Sequence, residues 1–279
     1  MTPTDQASPA LVFDDVSRGF AVPGGTTYPA LERVTFSVTP GEFLAIVGPT
    51  GCGKSTILSL AAGLLRPTSG RVLTFNAHLE GLNRHAAYLF QQDVLLPWKT
   101  ALDNVMLGPL LHRWPRSRAH DESLRWLARV GLAGFENRFP HQLSGGMRKR
   151  VALAQNLIVG PAILLMDEPF SALDIQTREL MENDLLALWQ DDRKTILFVT
   201  HDLEEAIALS DRVLVLAAGP GTRVIGSYPV TLPRPRDVTE VRLHPGFRQV
   251  YQTIWGQLRG EVLRAYAAQG RAAAVEADA

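Results

Sequence analysis

Residues 48–56 read GPTGCGKST. Gly48, Gly53, Lys54 and Ser55 fit the spacing G-x-x-x-x-G-K-[ST], in which a glycine-rich turn lets backbone N–H groups wrap phosphate oxygens. In that pattern Gly48, Pro49, Thr50, Gly51, Cys52 and Gly53 form the wrapping loop, Lys54 neutralises the β and γ phosphates, and Ser55 ligates Mg²⁺. A second anion cradle stands at 143–150, LSGGMRKR, where a Ser and two glycines lead into helix-forming residues. Two acids end the apolar run ILLMDEP at 163–169. Asp167 is placed to hold Mg²⁺ through water, and Glu168 to orient or deprotonate an attacking water. TILFVTHD at 195–202 likewise ends an apolar run in His201. Each feature has a plain alternative: a chance turn, a strand-end turn former, a structural histidine. The phosphate loop stands out because it joins an apolar strand to a helix, as its mechanism demands, and it raises the functional reading of the acids beside it.

The elements that must position these groups follow from periodicity. From Leu11 to Val47 short apolar runs (LVF, VTFSV, FLAIV) alternate with turn residues, as antiparallel strands do. FLAIV runs into the glycine loop, STILSLAAGLL has helical spacing, and RPTSG at 66–70 stops it. A helical insertion spans about 92–160, interrupted by Pro97, Pro109 and Pro115. AILLMD, TILFVT and RVLVLA alternate with helical stretches, which predicts an α/β fold: an N-terminal antiparallel β subdomain, a parallel-sheet core and the insertion. The main domain is expected over 10–236, after a mobile tail at 1–9. VTLPRPR at 230–236 reads as extended. In a helical extension over 237–279 with a mobile end, Phe247, Val250, Tyr251, Ile254, Leu258 and Val262 recur at helical spacing, as in a helix packed on its own domain.

Composition narrows the function. Lys and Arg number 28 and so do Asp and Glu, so no net field draws the chain to nucleic acid. Cys52 is the only cysteine, which excludes an internal disulfide and fits a reducing compartment. It reads as a small loop residue or a reactive thiol. The other histidines (His78, His85, His112, His120, His141, His244) lie in polar stretches and read as surface. The first ten residues lack the features of a signal peptide, and no apolar run approaches the ~18 residues of a membrane span. The expected place is the cytoplasm; any membrane role needs a partner to hold the chain there.

Together with FQQDVLLPW at 90–98 and SALD at 171–174, these motifs resemble, in order and spacing, the ATP-binding cassette ATPases of ABC transporters over about residues 10–236. The resemblance implies ATP and Mg²⁺ as ligands and a head-to-tail dimer in which Leu143, Ser144, Gly145, Gly146 and Met147 cradle the partner's ATP. That would explain two cradles in one chain. It further implies that Gln91 touches Mg²⁺ and the attacking water while linking ATP to the transport subunit. His201 would contact the γ-phosphate, Thr56 the α-phosphate, and Asp174 of the Ser171, Ala172, Leu173, Asp174 loop would reach across the dimer. Phe20 sits where the family usually has a Tyr that stacks on adenine, with Tyr28 as the fallback. Met147 replaces the usual Gln or Glu. The LSGGM ending, LLPW and the LPRPRD tail look like the importer branch for nitrate, sulfonate and taurine. The partners implied are a second copy, an integral membrane permease and, indirectly, an extracytoplasmic solute-binding protein; no nucleic acid is expected. The place implied is the cytoplasmic face of the plasma membrane of a bacterium. A non-transport ATPase of the same family, in DNA repair, chromosome maintenance or translation, is the alternative, but such proteins usually carry coiled-coil arms or two cassettes. A small-metabolite kinase would leave LSGGM unexplained.

Overall fold

A computed structural model describes residues 8–22 and 25–277, with side chains to 267. The expectations of mobile ends fall largely on residues outside this range. The chain divides into two compact units, 1–84 with 193–279, and 85–192.

In the first unit β1 (Leu11–Ala21) pairs antiparallel with β2 (Thr27–Val38) and with β4 (Ser69–Thr74), and β4 pairs with β5 (Ala77–His78). This is the antiparallel subdomain. The strand before the glycine loop, β3 (Phe43–Val47), departs from the antiparallel expectation: it pairs parallel with both β8 (Thr195–Val199) and β9 (Arg212–Leu216). Its reason is burial. All five residues of FLAIV are buried, so both faces of the strand are covered, as in parallel sheets, rather than alternating. Strand β10 (Val224–Pro229) adds to β9 antiparallel. Helix α1 (Lys54–Ala61) stops before RPTSG. Gly63, at φ 70, turns the chain in the left-handed region, and the N–H groups of Leu64 and Leu65 return to the Ser59 carbonyl. Helices α6 (Leu203–Leu209), α7 (Val238–Leu243) and α8 (Pro245–Ala277) complete the unit. Phe247, Ile254 and Leu258 form the buried seam of α8, and Glu261 accepts the Ala218 N–H at 2.9 Å, so this helix packs on its own unit.

A half-buried ion pair holds β3 beside β9. Arg212 Nε donates to Glu42 at 2.6 Å, and Thr39 N–H donates to the same carboxylate at 2.8 Å. Burial alone would raise the Glu42 pKa, but these hydrogen bonds and the Arg212 charge outweigh it and hold the carboxyl below its ordinary value. The folded-state pKa is depressed, so this stabilisation is present above the unfolded pKa and is lost as pH falls through the folded one. Glu42→Gln is expected to lose about 1.5–3 kcal/mol at neutral pH. The deficit should shrink as pH falls through the lowered folded-state pKa, as urea unfolding at neutral and at acid pH will show.

The second unit contains β6 (Ala86–Leu89) parallel to β7 (Ile163–Asp167), with α2 (Ala101–Leu111), α3 (Arg116–Arg129), α4 (Gly145–Leu157) and α5 (Ile175–Asp191). Strand β6 was not foreseen, because AAYL is short and only its last residue is buried. Between β6 and α2 the loop is knitted by Asn104, fully buried, whose side chain accepts the Leu96 N–H and donates to the carbonyls of Leu96, Lys99 and Thr100. The loop so held leaves Trp98 71% exposed.

Candidate functional site

In the first unit the glycine loop leaves β3 at Gly48 and enters α1 at Lys54. Gly53 caps the helix at φ 96, and a Cβ there would lie 2.8 Å from Leu31 Cδ2 and 3.3 Å from the Ala30 carbonyl. Only glycine fits, both for its dihedral and for this close approach. Lys54 is 6% exposed and curls back into the loop, donating to the Gly48 and Pro49 carbonyls at 2.9 and 3.0 Å. Thr50, Gly51 and Ser55 are exposed and Thr56 half-buried, so the loop mouth is open to a ligand while its cation is held beneath. Cys52 is 1% exposed, against the end of β3. Of the two readings open for it, this burial fits the small packing residue and not the reactive thiol.

His201 follows β8 and lies exposed in a cleft of about 530 Å³ that Gly48, Pro49 and Thr50 also line. Its loop is braced from behind. Thr200 is buried and bonds the buried Glu205 carboxylate, while Asp202 caps α6 by accepting the N–H groups of Glu204 and Glu205 at 2.8 and 3.2 Å. Phe20 and Tyr28 are direct cross-strand partners of β1 and β2, so the first choice and the fallback for a base-stacking ring are neighbours on one face. The Arg18 guanidinium covers the Phe20 ring at 4.8 Å, and Tyr28 Oη stands 3.5 Å from where a Gly219 Cβ would be, itself 3.7 Å from the Gly51 carbonyl.

In the second unit Asp167 ends β7 at 9% exposure and accepts Tyr88 Oη–H at 3.1 Å. Glu168 is half-buried and sits at φ 43, a left-handed dihedral that costs a non-glycine residue about 1 kcal/mol or more. Strain of that kind gathers at functional positions, where surrounding structure holds it. Here the Glu168 carbonyl is gripped by the N–H and hydroxyl of Ser171, at 3.3 and 2.9 Å. Gln91 is exposed, and its amide reaches Ser171 Oγ at 3.5 Å. Thus Gln91, Asp167, Glu168 and Ser171 form one connected cluster.

Ser144 caps α4, its Oγ accepting the Met147 N–H at 3.3 Å, and Leu143 is buried beneath. A Cβ on Gly146 would sit 2.7 Å from Thr177 Cγ2, and one on Gly145 3.8 Å from Leu173. The two glycines therefore let the start of α4 press against the loop 171–174 and the first turn of α5. Ala172 is exposed, and Asp174 caps α5 by accepting the Thr177 N–H at 3.0 Å. That hydrogen bond holds the Asp174 carboxyl below its ordinary pKa. So Asp174, expected to reach outward, also has a local task. Sequence reading passed over Tyr88, Asp93, Arg148 and Lys149; the acid in FQQD and the basic run after LSGGM were the available signals.

The Ser55 hydroxyl of the first unit and the Asp167 carboxylate of the second are each hard oxygen donors, of the kind that suits Mg²⁺. Among the described residues, no helix is long and apolar enough to cross a membrane.

The profile of the family described as "ABC transporter" matches residues 31–171. The uncharacterized ABC transporter ATP-binding protein MJ0412 of Methanocaldococcus jannaschii is 44% identical over 240 residues, 86% of this chain and 88% of that protein. A taurine import ATP-binding protein, TauB of Yersinia pestis, is 45% identical over 193 residues, 69% of this chain and 76% of its own. The nitrate import ATP-binding protein NrtC of Synechococcus elongatus is 38% identical over 239 residues, 85% of this chain and 36% of its own. Among solved structures, the dimeric ATP-binding cassette MJ0796 bound to ADP and Pi superposes with a TM-score of 0.70 at 33% identity, covering 79% of this chain and 98% of that one. With the glycine loop, strained Glu168 and capped Ser144 in place, these likenesses identify the chain as an ATP-binding, ATP-hydrolysing member of the ABC transporter family.

Proposed function

We propose that the chain is the ATPase subunit of a bacterial importer for a small solute of the nitrate, sulfonate or taurine kind. It works as a head-to-tail dimer at the cytoplasmic face of the membrane, held there by a separate permease. The likeness to taurine and nitrate import proteins supports the solute class, and the dimeric MJ0796 cassette supports the assembly. Coupling to a permease rests on one observation: an exposed apolar surface on either side of Gln91. Phe90, Val94 and Trp98 are 38%, 52% and 71% exposed, far more apolar surface than a loop needs for its own packing.

In this reading the backbone of 48–53 wraps the phosphates, Lys54 balances their charge, and Thr56 meets the α-phosphate. Phe20 or Tyr28 stacks on the base. Ser55, Gln91 and, through water, Asp167 would hold Mg²⁺, which would supply positive charge to offset that of the phosphates. Glu168 orients the attacking water and takes its proton, Gln91 keeps that water in line, and His201 contacts the γ-phosphate. Leu143 to Met147 cradle the partner's ATP, and Asp174 carries the partner's state across. Met147 lacks the polar end usual at its position, but the hydroxyl of Ser144 and the N–H groups of Gly145 and Gly146 remain as donors. ATP binding closes the dimer, hydrolysis reopens it, and the apolar surface passes that motion to the permease.

The test uses a strain lacking this gene, complemented with wild type or Trp98→Arg, and labelled nitrate, taurine and an alkanesulfonate. Wild type is expected to restore uptake of one of them. Trp98→Arg should restore none while the purified chain keeps its ATPase rate within about twofold, because a charge at the centre of an apolar contact breaks docking and not chemistry. Uptake unaffected by deletion for all three solutes would reject the solute class. Uptake restored fully by Trp98→Arg would reject this docking surface.

A further inference from the structure

The second unit contains a cation that the roles above do not use. Lys149 lies in the second turn of α4 and is 4% exposed. Its Nζ donates to the Gln91 carbonyl at 2.6 Å and, more weakly, to that of Phe90 at 3.4 Å. It also stands 3.0 Å from Asp93 Oδ1, an ion contact whose angle falls short of a hydrogen bond. The second oxygen of Asp93 accepts Arg148 Nε at 3.0 Å, and Arg148 Nη1 returns to the Leu143 carbonyl at 2.8 Å. Lys149, Gln91, Gln92 and Asp93 share the wall of a cavity of about 320 Å³ with Ser171 and Ala172.

A buried ammonium costs several kcal/mol to desolvate and persists only where partners compensate it. These partners all come from the segment 90–93. Lys149 therefore does not serve the helix that carries it; it grips the glutamine loop. We propose that Lys149 and Asp93 are positioning residues, a latch that fixes the Gln91 loop to the helix presenting Ser144 to Met147. Through it the loop and the 143–147 cradle move as one body, and Gln91 is in place for its water only when that helix is seated. The inference rests on the role given to Gln91 above.

The test measures steady-state ATP hydrolysis by the full chain for Lys149→Met, which keeps the stem and removes the charge, and for Asp93→Asn, each with Gln91 intact and in a Gln91→Ala background. With Gln91 intact, both variants are expected to lower kcat about ten- to hundredfold, since small misplacements of a reacting group cost that much, with KM within about twofold. In Gln91→Ala, neither should lower kcat further. A plain stability defect would instead lower kcat by the same factor in both backgrounds, and that result overturns the latch. If Gln91→Ala reduces kcat but Lys149→Met and Asp93→Asn do not, the latch alone falls. If Gln91→Ala leaves kcat unchanged, the reading of Gln91 falls and the latch with it. Should Lys149→Met not fold, Asp93→Asn decides, because Arg148 and Lys149 keep backbone acceptors in its absence.

Discussion

Glu168→Gln is expected to lower the rate of ATP hydrolysis by about 10²–10⁴-fold, the range supplied by a positioned general base. Mg-ATP binding should persist within about twofold, because the phosphate loop, Lys54 and Ser55 are untouched by the change. The substitution conserves size, and Ser171 still holds the residue 168 carbonyl, which supports the strained backbone at φ 43. Phosphate release and equilibrium binding of a fluorescent ATP analogue measure the two halves of this statement. Hydrolysis near the original rate would mean that another group takes the proton.

A second large effect concerns whether the ATP proposed to lie at Ser144 belongs to the partner chain. One subunit carries Lys54→Ala, another Ser144→Arg, and both carry Glu168→Gln so that trapped ATP survives. Lys54→Ala removes the cation seated under the Gly48 and Pro49 carbonyls. Ser144→Arg removes the cap of α4 and puts a bulky cation at the cradle. In a two-fold symmetric head-to-tail dimer each interface site occurs twice, once in each direction. A mixed dimer then pairs both lesions at one site and leaves the other whole, so about one ATP should be occluded per mixed dimer, against about two in the matched control carrying only Glu168→Gln. If each site were built within one chain, every site would carry a lesion. Occlusion near zero in differentially tagged, purified mixed dimers would falsify the trans arrangement. Binding is read out because two sites that need each other for turnover would make a silent ATPase ambiguous.

Much of the site was legible because its geometry is local. GPTGCGKST carries its own instructions: a strand feeds it, Gly53 must be left-handed, and the helix begins at Lys54. Ser144 leads into a helix as its residue type and the two glycines after it suggest, and the acids of ILLMDEP stand at the end of an apolar run that could be little else than a buried strand. The short strands β4, β5 and β6 were harder to see, since two to six residues with few buried positions leave almost no periodic signal. The end of α1 was set by Gly63 and not by the proline that follows, two stop signals that compete within a few residues.

Residue types, their spacing and their order thus pointed to the chemistry expected of the chain: phosphate binding at 48–56, an acid pair, a strand-end histidine and a second candidate cradle, all from patterns within a few positions along the chain. Tertiary structure alone decided what depends on distant partners. FLAIV lies between two parallel strands because residues some 150 positions later cover it on either side. Cys52 is buried and Trp98 exposed, outcomes that neither residue type announces. Lys149, one basic residue in a run of three, became a buried grip on Gln91 and Asp93 because folding brings residues over fifty positions apart within hydrogen-bonding distance, and burial makes that contact matter.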